Sequence, residues 1–140
     1  MAKKTMPRAV YEAVFARAES DASYPACEAM IRGVCVLRAS HWHHRRMRSQ
    51  GGGHDVVNGL AVCEACHHFF HMNPAVAYGE GWLVRSNSDP ARVPVNRRGQ
   101  VVQLFEDGTF TQIYGVGLAR WRGPGTEEVN NGQVACGEKP

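Results

Sequence analysis

The sequence predicts an α+β fold built on a strand, a long loop, a return strand and a helix between Ala39 and Met72. Three observations carry that expectation. Ala39–His44 and Asn58–Val62 (NGLAV) read as strands on either side of Ser49-Gln-Gly-Gly-Gly-His-Asp55, whose three successive glycines favour neither helix nor strand. Glu64–Met72 reads as a helix ending at Asn73-Pro74, because proline disfavours helical geometry in the residue before it. All seven histidines, with two of the five cysteines, fall between Ser40 and His71, a concentration that suits metal binding rather than surface decoration.

The flanking elements follow in order. Pro7 to Ala18 reads as a helix: Pro7 suits a first-turn position, and Val10, Val14 and Phe15 fall near helical spacing. Asp21 to Ala26 is turn-like. Cys27 to Leu37 carries two cysteines around a short apolar stretch with Gly33 and reads as a knuckle. After the central unit, Pro74 to Tyr78 forms a helical turn and Gly81-Trp82-Leu83-Val84 a strand. Gln100–Phe105 and Thr109–Tyr114, joined by Glu106-Asp107-Gly108, read as a hairpin. The tail from Arg122, rich in Gly, Pro and polar residues, is expected to be disordered. There is no internal repeat.

At 140 residues the chain fits one domain with tails. Its 16 Lys+Arg against 13 Asp+Glu, net +3, is only mildly basic. Locally the balance is sharper: between Val34 and Gly53 stand Arg38, Arg45, Arg46 and Arg48 with no acidic residue. Such a patch beside histidines suits a polyanionic substrate, the alternative being a solvated charged face. No run of 18 apolar residues occurs, which argues against a membrane span. Glu12, Arg17 and Glu19 interrupt the N-terminal apolar residues, which argues against a secretory signal. The expectation is a soluble cytoplasmic chain whose cysteines stay reduced, so that clustered thiols read as metal ligands.

Cys63-Glu-Ala-Cys66 is a CxxC; upstream, Cys27 and Cys35 are separated by seven residues, longer than an ordinary zinc knuckle. As two pairs the four can close a tetrahedral structural Zn²⁺ site, replacing core that this glycine-rich region lacks. A thioredoxin-type redox CxxC would want a βαβ context, absent here. Cys27 and Cys35 can also be read as small core residues, and Cys136 as incidental to the tail.

On a helix His67 and His71 share a face, whereas His68 points about 100° away and reads as structural or solvent-facing. His43 and His44, adjacent on a regular strand, leave by opposite faces. One can join the helix pair as third metal ligand, and the other can face the open side. Three protein ligands leave positions open for catalysis, and a free histidine with a pKa near 6.5 is a natural general base.

The pattern His43-His44, Asn58, His67 and His71 resembles the HNH endonuclease family, whose ββα-metal (His-Me finger) fold is a hairpin followed by a helix. The stretch HHRRMRSQGG…N…CEACHHFFHMNP…GWLV…DP…PV, within roughly Cys27 to Val95, is similar to small bacteriophage and prophage HNH proteins with zinc-binding cysteine clusters. The resemblance implies an N-terminal helix or extension over 1–22, a zinc-braced nuclease domain over 23–95, a hairpin extension over 96–121 and a tail over 122–140. It implies that His43 ligates a catalytic divalent metal (Mg, Mn, Ni or Zn) together with His67 and His71, that His44 activates water and that Asn58 braces the hairpin loop. Many members carry Asp where His43 stands, and many have a single helix ligand.

The implied reaction is phosphodiester hydrolysis in double-stranded DNA, with Arg45 or Arg46 holding the flanking phosphate and Arg48 or Arg38 as alternatives. Few base-reading features are visible, so weak sequence preference and strong salt dependence are expected. The family setting implies terminase and portal partners in phage DNA packaging, in the host cytoplasm. A non-catalytic, zinc-braced DNA-binding module is the first alternative. A hydrolase of another substrate is the second, although the glutamate of HExxH is missing.

Overall fold

The structure, a computed structural model, describes residues 5–19 and 22–113. Within them the architecture is α+β, with three α-helices and two small antiparallel sheets. Helix α1 (Arg8–Glu19) begins directly after Pro7, whose carbonyl accepts from the amides of Val10 and Tyr11. Val14 and Ala18 on its inner face are fully buried, against Ala39, Val56 and Ala61. The expected tail from Arg122 and Cys136 lie outside the described residues.

Strands β1 (His41–His44) and β2 (Gly59–Val62) pair antiparallel, with His41 opposite Val62 and His44 opposite Gly59. Glycine is required in that last pair, because a Cβ at Gly59 would run into the Trp42 ring. Helix α2 (Glu64–Met72) follows at once, with Cys63 as its N-cap: the Cys63 sulfur accepts from the Cys66 amide. The CxxC is thus a sulfur-capped helix start. Asn73 ends α2 and opens α3 (Pro74–Glu80).

Gly81–Val84 is not the expected strand. Gly81 takes a left-handed φ of 81° and its amide, with those of Trp82 and Leu83, turns back onto carbonyls at the end of α3. Three amides committed to a helix end cannot also make a ladder. The apolar run is buried because it packs as a loop, with Trp82 against Phe70. A strand forms later instead: β3 (Val95–Arg97) pairs with β4 (Gln100–Leu104), which pairs with β5 (Phe110–Gln112).

One apolar core holds Cys27, Leu60, Val62, Cys63, Cys66, Phe70, Trp82, Val95, Val102 and Leu104. The C-terminal hairpin therefore shares its packing with the knuckle, β2 and α2. Beside this core lies a buried ionic cluster. Glu28 accepts from Arg17 at 2.7 and 2.9 Å, from Arg97 at 2.8 Å and from the Ala61 amide at 3.0 Å. It ties α1, the knuckle, β2 and β3 to one carboxylate.

Candidate metal centres

The chain between Cys27 and Cys35 folds back on itself. Ala26 bridges Arg38, the Cys27 amide donates to the Leu37 carbonyl and the Cys35 amide to Ile31. Positive φ at Met30 and Gly33 allows the reversal. The long spacing is thereby absorbed, and the sulfurs of Cys27, Cys35, Cys63 and Cys66 all lie within 4.8 Å of one another. A tetrahedral zinc with bonds of about 2.3 Å separates its sulfurs by about 3.8 Å, and the Cys35 and Cys63 sulfurs stand 3.8 Å apart.

Hydrogen bonding and burial act differently on the sulfurs. The Cys66 thiol donates to the Cys27 sulfur and holds Cys27 down to about 5, against the opposing effect of burial. Burial pushes Cys35 up to about 12, and the shared hydrogen bond with Cys27, together with burial, raises Cys66. Amides of Val36, Leu37 and Cys66 donate to sulfur, and a bound cation would be needed for all four sulfurs to stand as thiolates. The donor set fits a closed structural zinc.

The second group lies across β1 and α2. One ring nitrogen from each of His43, His67 and His71 falls within the same 4.8 Å limit. His43 is buried, His67 intermediate and His71 exposed, so the group opens to solvent on one side. There an open cleft of about 550 Å³ is lined by His41, Glu64, His67, His68 and His71. His43 Nε2 lies 2.7 Å from the Trp82 carbonyl. A carbonyl can only accept, so Nε2 carries the proton and Nδ1 holds the lone pair, the pre-set tautomer expected of a metal ligand. Burial, opposed by that hydrogen bond, takes His43 down to about 3. Burial and the neighbouring His71 take His67 to about 4. Both are neutral at physiological pH, as a metal requires. The donors suit a divalent cation with exchangeable positions.

His44 leaves β1 by the other face. Its ring stands edge-on to Trp42 at 4.8 Å, and its Nε2 lies 3.2 Å from Nδ1 of His54. Burial, then the charges of His54 and Arg48, lower its pKa. Asn58 is wholly buried. Its carbonyl oxygen accepts from the Arg46 amide at 2.7 Å, and its amide donates to the Arg46 and Gly53 carbonyls. One side chain thus pins both ends of the loop that follows His44.

The phosphate-holding role expected of Arg45 does not survive its placement. The side chain is fully buried and donates to the carbonyls of Gly81, Val57, Pro90, Val93 and Pro94. Of its neighbours, Arg48 is exposed, and Arg46 is half-buried with Nε donating to the Gln50 carbonyl. Arg38 is exposed and lies over the Tyr24 ring. His68 is exposed at the cleft.

Two contributors carried no local signal. His54 stands in the glycine loop without a spacing pattern, and the Glu106 carboxylate accepts from the Val56 and Val57 amides, 50 and 49 residues away. Compared with known proteins, the chain matches no family model, no curated protein and no solved structure.

Proposed function

We propose that the chain is a metal-dependent endonuclease of the HNH kind, hydrolysing phosphodiester bonds in double-stranded DNA with weak sequence preference. In this reading the β1–β2 hairpin and α2 are its ββα-metal core. One observation carries it: His43, His67 and His71 converge on one face of β1 while the next residue, His44, leaves by the other face. A purely structural site has no use for such a fourth imidazole.

A divalent ion held by His43, His67 and His71 would neutralise charge on the scissile phosphate and the departing 3′ oxygen. His44 takes the proton of the attacking water, an assignment supported by a pKa lowered by burial, His54 and Arg48. Asn58 holds the backbone that presents His44, through its bonds to Arg46. That matters because a small misplacement of a catalytic group costs about 100-fold in rate. Arg48, exposed near His44, is the leading phosphate contact, with Arg46 behind it.

The test is cleavage of supercoiled plasmid by the wild type and His44→Ala, each in EDTA, Mg²⁺, Mn²⁺, Ni²⁺ or Zn²⁺. Metal-dependent cutting by the wild type that drops about 100-fold or more in His44→Ala is the expected outcome. Plasmid binding without cutting under any metal would instead make the chain a zinc-braced DNA-binding module. Equal cutting by both proteins removes His44 from the base position.

A further inference from the structure

His54 lies in the glycine-rich loop and belongs to neither group of candidate metal ligands, yet its Nδ1 is 3.2 Å from Nε2 of His44. Their ring centroids are 5.2 Å apart at 54°. Two imidazole nitrogens at hydrogen-bond distance can share only one proton: one donates and the other accepts. Nδ1 of His44 makes no hydrogen bond among the described residues, so it is the nitrogen left to meet water. If neutral His54 were the donor, neutral His44 would carry its own proton on Nδ1 and could take none from water. If His44 is the donor, its lone pair sits on Nδ1.

We infer that His54 is a positioning residue whose Nδ1 lone pair accepts the Nε2 proton of His44, holding His44 as the tautomer with a vacant Nδ1. The inference rests on the nuclease reading for the direction of the hydrogen bond and on the 3.2 Å contact for its existence. In the reaction, water gives a proton to His44 Nδ1 and its oxygen bonds to phosphorus. The bond from phosphorus to the 3′ oxygen breaks, and its electron pair leaves with that oxygen. His44 becomes an imidazolium whose Nε2 proton still points at His54, so His54 does for it what a carboxylate does in a serine-protease triad, without the charge. Trp42 closes against the His44 ring as well.

The loop holds His54 from both sides. Gly53 is tied through its carbonyl to Asn58, and the amides of Val56 and Val57 end on the Glu106 carboxylate. A second link follows: the C-terminal hairpin turn, through Glu106, helps set where His54 stands.

The test reads the tautomer directly. In ¹⁵N-labelled, zinc-loaded full chain at mildly alkaline pH, long-range ¹H–¹⁵N correlation of the histidine rings should show His44 protonated on Nε2 and bare on Nδ1. His54→Leu should give a mixture of tautomers. His54→Asn, whose amide oxygen can accept in place of Nδ1, should keep the wild-type pattern. In plasmid cleavage, His54→Leu should lower kcat by about 10- to 100-fold with KM little changed, and His54→Asn should restore most of it. A wild-type His44 protonated on Nδ1 overturns the inference. So does a His54→Leu variant with unchanged tautomer and unchanged kcat. A wild type that cleaves nothing defeats the nuclease reading alone, since the tautomer is read without activity.

Discussion

Five carbonyl oxygens surround the Arg45 guanidinium, drawn from Val57, Gly81 and the Pro90–Pro94 segment. Truncating Arg45 to Ala leaves those acceptors dry, at about 1–3 kcal/mol for each one unsatisfied. Arg45→Ala should therefore cut stability by more than about 3 kcal/mol in urea titration. Arg48→Ala should leave the unfolding midpoint in place and weaken DNA binding, reducing the slope of log affinity against log salt by about 0.9. If Arg45→Ala proves stable and Arg48→Ala binds DNA normally, the two roles are reversed. Glu28 behaves like Arg45 with opposite charge. Burial alone would raise its carboxyl, but Arg17 and Arg97 bring it from 4.5 down to about 2. Its contribution is complete above 4.5 and is lost as pH falls through about 2. Glu28→Gln should cost about 3–5 kcal/mol, because two guanidiniums are left buried without their carboxylate.

Helix α2 serves both metal groups, with Cys63 and Cys66 at its start and His67 and His71 along one face. The two groups should nevertheless separate by mutation. Cys35→Ser should release the thiol-bound zinc, measured by atomic absorption, and unfold the knuckle, since a structural zinc site contributes folding energy. His71→Ala, at an exposed position, should keep that zinc and the fold while abolishing cleavage. Loss of the thiol-bound zinc in His71→Ala would show the two groups to be one centre. Thiolates must be protonated for zinc to leave. Acid unfolding should therefore begin above the value near 2 at which Glu28 titrates, and its midpoint should move to lower pH as free zinc rises.

The three-stranded sheet belongs to the same core as the hairpin and α2. Val95, Val102 and Leu104 are buried with Cys27, Leu60 and Phe70, and Arg97 reaches the carbonyl of Arg17 across 80 residues. A chain ending at residue 95 would lose Arg97, Val102 and Leu104 together with the Glu106 brace on Val56 and Val57. Such a truncation should lose cooperative thermal unfolding by circular dichroism, even with zinc present. A cooperative transition in the truncated chain would make the sheet an appendage. Among the described residues no helix is long and apolar enough to cross a membrane.

The α+β class, the span of α2 and both sets of converging ligands were readable along the chain, because helix periodicity, proline punctuation and close ligand spacing are local properties. Even His43 and His44 leaving by opposite faces follows from the two-residue period of a strand. Tertiary structure decided the rest. Whether an arginine in a basic run meets water or five carbonyls depends on segments 12 to 49 residues away, as Arg45 shows. Val95–Arg97 became a buried strand because Glu28, 69 residues from Arg97, neutralises it there. Gly81–Val84 lost its ladder to the end of α3. His54 met His44 because Asn58 and Glu106 fix the loop between them. Burial and pairing are settled by partners remote in sequence, and a desolvated charge or a shared proton has no signature until those partners arrive.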